Sequence, residues 1–403
     1  MVAGRRKRSR EPSSPSSSSS SSLFEVVEPF EEVPEARRAL ERLPYEVDVT
    51  QPMGLGTALA VTKVKRVLVG DEGATYKYLG LRLFAAPWPK ELSKLDAALK
   101  NRAKALGAAE CEFTASLVNK MENCSHEQAV SWHADSCLEH NSTIAVYQVV
   151  DGAGWRLGIR ECRNAEGPQK RGGTPGEARH VPLVQGASAY FMLDDFNHHH
   201  QHAVLAGSGV RYSSTHRVAR TRGHSASWVL GYAKSVQLSP SNWRAVSRAV
   251  DVLEFEWLCQ WYVQGLRRNL EASWCPVIAK LEAAWLEFEN VEKTRYDALL
   301  DAGGGTAASS KRAKKKRRLV ASLGGGGVYD AAIEDFEAKR AKRDKWRTRE
   351  RDKAYCARPP DLRPVSPPPF LARSPLPDLE AAIAHLRAAK EAYLATTTTT
   401  TFS

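Results

Sequence analysis

Between Arg66 and Lys234 the sequence is cut into short runs rich in β-branched and aromatic residues, each ended by Gly, Asn, Asp or Pro. After Pro240 apolar residues instead recur every three or four positions. Alternate side chains of a strand face opposite ways, whereas a helix repeats about every 3.6 residues, so this switch of period demands a strand-built unit followed by a helix-built one. The runs 66–69, 112–119, 143–150, 155–160, 187–193, 210–217 and 227–233 read as strands of a sandwich or barrel of jelly-roll type. The interrupting segment 90–106 carries Leu92, Leu95, Ala98 and Leu99 at helical spacing and predicts a helix packed outside the sheets. In the second unit Ser241 is a cap candidate, and Val246, Val250, Leu253, Trp257 and Trp261 fall on one helix face. Further helices are expected over 276–300, 331–355 and 377–394, with Trp257, Trp261 and Trp274 as core or inter-domain packing rather than a base-stacking platform. The fold class is α+β.

The flanks cannot build a core. Arg5, Arg6, Lys7, Arg8 and Arg10 repel one another and a serine run follows from 16 to 22, so residues 1–24 read as a disordered basic tail. A second such tract, 302–327, has glycine runs bracketing the basic octamer 311–318, in which only Ala313 is uncharged. Between and after them lie a strand-rich domain over 25–236 and a helical domain over 237–403 that contains this insertion; the threonine run 396–401 carries no assignable chemistry. Lys plus Arg number 58 against 46 Asp plus Glu, a net charge of +12, which favours a polyanionic partner. Either basic cluster reads as a nuclear address, a phosphate-binding patch or a solvated charge run, and the expected location is the nucleus, with the cytoplasm as a second compartment. No apolar run approaches the roughly 18 to 20 residues that span a bilayer, and the chain starts with charge and serine, so a soluble intracellular protein without a membrane partner is expected. The seven cysteines include no C-x-x-C pair, which points to neither a disulfide framework nor a cysteine zinc site.

The chemistry is concentrated in Ser131-Trp132-His133-Ala134-Asp135 and, much later, His202 and Arg211. On an extended strand His133 and Asp135 project from one face. With His202 on a neighbouring strand they form a two-histidine, one-carboxylate set that leaves adjacent coordination positions open, the arrangement of non-haem Fe(II) oxygenases. Arg211 supplies a planar fork that matches a carboxylate, and Asn119, Tyr190, Ser213 and Arg217 lie in strands of the same region. Together they describe a pocket for 2-oxoglutarate beside Fe(II), with O2 as the third participant. Each element alone has a blander reading: H-x-D is mostly incidental, the histidine run 198–202 could be a surface loop that picks up stray metals, and an arginine is usually a surface ion pair. The ordered combination within a β-rich region favours the oxygenase.

The runs 129–133, 190–195, 200–208 and 213–218, with Thr75-Tyr76-Lys77-Tyr78-Leu79, resemble the FTO family of nucleic-acid demethylases, which is related to AlkB. The likeness covers roughly 60 to 300, including Glu254-Phe255-Glu256-Trp257-Leu258 and Trp274-Cys275, and returns near 368–394. It implies a double-stranded β-helix catalytic domain followed by an α-helical C-terminal domain. It also implies Fe(II) ligation by His133, Asp135 and His202, and 2-oxoglutarate held by Asn119, Tyr190, Arg211, Ser213 and Arg217. For a methylated base it implies a pocket of Arg66, Tyr78, Leu79, Val130, Ser131 and Trp132, with Arg66 on the base edge, Tyr78 and Leu79 on its face and Trp132 near the methyl-bearing end. A base must leave its stack to be modified, and an aromatic face with a polar edge contact suits that; without the resemblance Tyr76, Tyr78 and Leu79 would read as ordinary strand core. The implied reaction is oxidative demethylation through a hydroxymethyl intermediate that releases formaldehyde. N6-methyladenosine in RNA is the foremost substrate, N3-methylated pyrimidines are alternatives, and the strand is single, RNA or else DNA. Two departures bear on selectivity: Ser136 stands where the family has an acidic residue, and the stretch 120–128 is shorter than the family pattern, whose loop there helps reject duplexes. Two rivals stay open, a 2-oxoglutarate oxygenase acting on protein side chains and a non-catalytic RNA-binding scaffold with a relic barrel. Protein partners are left unassigned.

Overall fold

The strand-period segment closes into two facing sheets. The protein is represented by a computed structural model that describes residues 23–47, 49–50, 60–61, 64–78, 81–122, 128–163, 174–263, 265–268, 270–304, 318, 320–321, 325–348, 356, 360, 363, 365 and 367–400. The basic tail, nearly all of the octamer 311–318, Leu79 and the short segment 123–127 lie outside the described residues. The strands are β1 (Phe24–Val27), β2 (Val49–Thr50), β3 (Ala60–Val61), β4 (Lys65–Gly70), β5 (Thr75–Tyr78), β6 (Leu81–Phe84), β7 (Ala86–Pro87) and β8 (Ala115–Glu122). They continue as β9 (Gln128–His133), β10 (Ile144–Asp151), β11 (Arg156–Arg163), β12 (Thr174–Pro175), β13 (Arg179–Pro182), β14 (Gly186–Met192), β15 (His200–Leu205) and β16 (Val210–Arg217).

The larger sheet runs β1-β14-β10-β16-β8-β4-β7 and the smaller β12-β11-β15-β9, with β13 also on β11. From β8 to β16 the chain passes repeatedly between them: β8, β10, β14 and β16 are in the large sheet, β9, β11 and β15 in the small one. That winding is a double-stranded β-helix. Alternation along the strands explains the layers. Leu117, Val146 and Tyr190 face inward toward Leu157, Ile159 and Val204. Their neighbours Val118, Tyr147 and Phe191 face outward onto α1 (Ala36–Arg42) and α2 (Lys90–Ala105). Leu92, Leu95, Leu99 and Ala103 form the fully buried stripe of α2, on the outside of the sheet as its spacing predicts.

One expected strand is a helix. Residues 227–233 lie in α4 (Ala226–Ser235), which follows the short α3 (Phe196–His199). Ser225 Oγ accepts the N–H of Trp228, which caps the first turn, and Ala226, Val229 and Ala233 sink into the helical core at spacings of three and four. Tertiary packing overrides the local β preference of this apolar run. The helical region continues as α5 (Trp243–Asp251), a π-helical segment Val252–Leu258, α6 (Cys259–Val263), α7 (Glu271–Gly303), α8 (Gly327–Thr348) and α9 (Leu379–Thr400). Ser241 is not a cap: Ser239 Oγ accepts its N–H at the head of a 3-10 turn over Pro240–Asn242, and α5 follows from Asn242 without a side-chain cap.

The hairpin β5–β6 joins the two regions. Phe84 makes edge contacts with Trp257, Trp261 and Trp274 at 6.4, 5.3 and 4.9 Å, and Trp274 Nε1 donates to Ala85 O at 2.9 Å. The three tryptophans are therefore interface core, as their spacing suggests. Arg82 Nε donates to Glu256 O at 2.7 Å, its guanidinium lies 4.2 Å from the Trp257 ring centre, and Lys77 pairs with Glu256 at 2.6 Å.

Candidate active site

His133 ends β9 and stands in register with His202 on β15, their ring centres 4.2 Å apart. Two residues on, Asp135 brings Oδ1 to 3.5 Å from His133 Nε2. One ligand atom from each of the three lies within 4.8 Å of the others. Three donors of this kind from one side suit a ferrous ion that keeps positions open for other ligands.

Each donor is oriented by a neighbour. His133 Nδ1 donates to Ser131 O at 2.8 Å, which leaves the Nε2 lone pair for the site. Arg217 Nε donates to Asp135 Oδ2 at 2.7 Å, and the Tyr76 hydroxyl is 3.5 Å from Oδ1. Asn197 accepts the Asp135 N–H at 2.8 Å and donates to the Asp135 carbonyl at 3.0 Å. Because Asn197 is on α3, immediately before β15, this double contact ties the segment bearing Asp135 to the strand bearing His202. Burial opposes the Asp135 charge, but Arg217 and the two imidazoles hold its carboxyl well below the usual range. Burial, reinforced by His133, pushes His202 down to about 3, so its ring is in the neutral form that ligates. Its buried Nδ1 has no partner among the described residues.

Tyr190, which feels the charges of both Asp135 and Arg211, links the three donors to a polar wall. Register places Arg66, Asn119, Ser213, Gln148 and Ser188 in one row across β4, β8, β16, β10 and β14. Arg211 lies two residues before Ser213 on β16 and so shares its face. It is 1% exposed, with Nε bonded to Gln148 Oε1 at 2.9 Å and Nη1 3.4 Å from Met121 Sδ, while its buried Nη2 has no partner among the described residues. A buried guanidinium with an orphaned donor, beside the Tyr190 hydroxyl and with no ion-paired carboxylate among the described residues, fits an anionic ligand, since an unpaired buried charge is strongly unfavourable. Burial pushes the Tyr190 hydroxyl up, opposed by the Arg211 charge. Asn119 and Ser213 thus join Arg211 at this wall, whereas Arg217 is turned to the Asp135 carboxylate.

The residues expected around a base occupy several environments. Arg66 is buried in the row just described, and Val130 packs against the inner core. Tyr78 ends β5, and its side chain, like Leu79, lies outside the described residues. Ser131 is exposed and contributes its carbonyl to His133. The β9–β15 ladder is irregular between the pairs His133–His202 and Val130–Val204, so Trp132 sits at a break in the pleat. Its ring covers Gly158, where a Cβ would lie 2.7 Å from Trp132 Cη2, and Arg160 stacks on it at 4.4 Å. Ser136 Oγ donates to Lys77 O at 3.2 Å, linking the Asp135 segment to the hairpin.

Sequence reasoning missed Gln148 and Asn197 and gave Tyr76 no role at the site. Gln148 had a signal, a lone amide inside the apolar run Ile144–Val150, and Asn197 had none.

Comparison with known proteins covers both regions. A model described as the FTO catalytic domain matches residues 30–127 and 107–220, and one described as the FTO C-terminal domain matches 227–388. The alpha-ketoglutarate-dependent dioxygenase FTO of Xenopus laevis is 28% identical over 327 residues, covering 57% of this chain and 63% of that protein. The chain thus spans less than two thirds of that relative. Among solved structures, an oxidoreductase of the 2OG-Fe(II) oxygenase family from Burkholderia pseudomallei aligns at 12% identity and a TM-score of 0.29, over 49% of this chain and 87% of that one. A bsmA homolog from Methylobium petroleophilum aligns at 12% identity and a TM-score of 0.25, over 40% and 72% respectively.

Proposed function

The chain belongs to the FTO family, and from that premise we propose that it is an Fe(II)- and 2-oxoglutarate-dependent dioxygenase that removes methyl groups from N-methylated nucleobases, foremost N6-methyladenosine in single-stranded RNA. The observation that carries this reading is the convergence of His133, Asp135 and His202 beside a buried Arg211 that has a donor to spare. In this reading His133 Nε2, Asp135 Oδ1 and His202 hold the iron. Arg211 receives a carboxylate of 2-oxoglutarate, with Asn119, Tyr190 and Ser213 along the same wall.

Iron with 2-oxoglutarate and O2 supplies, when bound, the oxidising chemistry that hydroxylates an N-methyl carbon. The chain's residues do the rest. Arg217 and Asn197 keep Asp135 ionised and aimed, and the apolar core formed by Val130, Ile159 and Val204 excludes water from the ligands' inner side. Arg66 offers a guanidinium to a base edge from the row that also holds Asn119. An N-hydroxymethyl base then expels formaldehyde and leaves the unmodified amine.

The basic balance of the chain supports a nucleic-acid partner, and the clusters 5–10 and 311–318 support a nuclear location. Incubating the protein with Fe(II), 2-oxoglutarate and either methylated oligonucleotides or methylated peptides tests the reading. Formaldehyde release from the oligonucleotides, lost in His133→Ala and Arg211→Ala, is expected. Turnover confined to the peptides would overturn it.

A further inference from the structure

Gln148 is 1% exposed in the middle of β10, a strand otherwise apolar from Ile144 to Val150. An amide buried there is unfavourable unless both of its ends are bonded. Both are. Nε2 donates to Ser188 Oγ at 3.0 Å on β14, and Oε1 accepts from Arg211 Nε at 2.9 Å on β16. The chain Ser188–Gln148–Arg211 therefore crosses three adjacent strands, and Ser188 is itself fully buried. A guanidinium can meet a carboxylate through its Nε edge or through its outer pair of nitrogens. Here the Nε edge is taken, Nη1 lies on the weak acceptor Met121 Sδ, the Tyr190 hydroxyl stands beside the guanidinium, and Nη2 has no bonded partner among the described residues.

We propose that Gln148, braced by Ser188, is the positioning residue of the co-substrate clamp. By occupying Arg211 Nε it fixes the plane of the guanidinium and leaves its outer pair of nitrogens as the receptor for a carboxylate of 2-oxoglutarate. The proposal rests on the co-substrate reading above. An apolar residue at 148 would pack as well against Val146 and Val150 but would free the guanidinium to rotate and leave Nε unbonded.

The test uses the full chain loaded with Mn(II) in place of iron, with 2-oxoglutarate binding followed by titration calorimetry. Gln148→Met keeps the length of the side chain and removes the strong acceptor. It should weaken 2-oxoglutarate binding about tenfold, as expected for a lost hydrogen bond to a charged group, with Mn(II) affinity in the absence of 2-oxoglutarate unchanged. In turnover, KM for 2-oxoglutarate should rise by the same factor while kcat stays within about twofold of wild type. Ser188→Ala, which only loosens the brace, should give a smaller loss of about threefold. Binding in Gln148→Met within about twofold of wild type overturns the proposal. If that variant does not fold, unchanged binding in Ser188→Ala overturns it instead. Arg211→Ala separates the two levels: abolished binding there with unaffected Gln148→Met removes only the role of Gln148. Full binding in Arg211→Ala, or none in wild type, removes the co-substrate reading and this proposal with it.

Discussion

Arg217 Nε donates to Asp135 Oδ2 across 2.7 Å, with both side chains almost fully buried, so the carboxylate that faces the two imidazoles is held from behind by a cation. Oδ1 is thereby left for the site. Arg217→Gln should reduce Mn(II) affinity by about 10- to 100-fold, the usual consequence of losing a group that orients a metal ligand. Metal titration followed by calorimetry checks this, and an unchanged affinity would show that Asp135 needs no such support.

The hairpin β5–β6 is held by Glu256 through Lys77 and Arg82. Glu256→Gln breaks a half-exposed pair, so global stability should change by less than about 1 kcal/mol. KM for a methylated oligonucleotide should rise several-fold with little change in kcat, because Tyr78 ends the first strand of that hairpin. Steady-state kinetics on oligonucleotides decides the point. A fall in kcat alone would place the hairpin outside substrate binding.

Inside the helical region, Lys339 is bonded to both Glu289 and Glu292, all three nearly inaccessible to solvent. Removing the shared cation takes the bonded cation from Glu292 and leaves Glu289 with only Arg343 and Ser374 among the described residues. Lys339→Met should cost about 3 to 5 kcal/mol of stability, read as a drop in denaturant midpoint. A loss below about 1 kcal/mol would mean that the pair of acids is satisfied without it.

His224 has its Nδ1 buried without a partner among the described residues, and burial, with the charges of Arg82, Lys77 and Arg220, pushes its pKa down to about 4. Its folded value is below the unfolded one of about 6.5. The unfolded chain therefore binds the proton first, and the stability this group contributes is complete above about pH 6.5 and lost as pH falls toward the folded value. Comparing urea midpoints of wild type and His224→Gln between neutral pH and pH 5 isolates the effect. The variant should show the shallower pH dependence, and parallel curves would contradict it.

The two sheets, the outer helix α2 and the helical half were legible because period alone separates strand from helix, and the buried stripes Leu92–Leu95–Leu99 and Val246–Val250 follow that period. The ligand set was legible from the H-x-D spacing, although Asp135 stands two residues beyond the end of β9 rather than on the strand, and the register of His133 with His202 completes it. What remained hidden depended on contacts between residues far apart in sequence. The helix over 227–233 forms because Val229 and Ala233 find the tryptophan-rich core, which no local pattern announces. The surroundings of Trp132, whose ring covers Gly158 and carries Arg160, follow an irregularity of the β9–β15 ladder that no local pattern announces. Asn197 acts on Asp135 only because α3 lies beside the segment that follows β9.

The central claim is most directly tested by mass spectrometry of RNA oligonucleotides carrying N6-methyladenosine after incubation with the protein, Fe(II), 2-oxoglutarate and air. Loss of the methyl group with matching succinate formation is predicted for wild type, and neither in His202→Ala. Intact methylated RNA together with no consumption of 2-oxoglutarate, across a panel of N-methylated bases, would contradict the account.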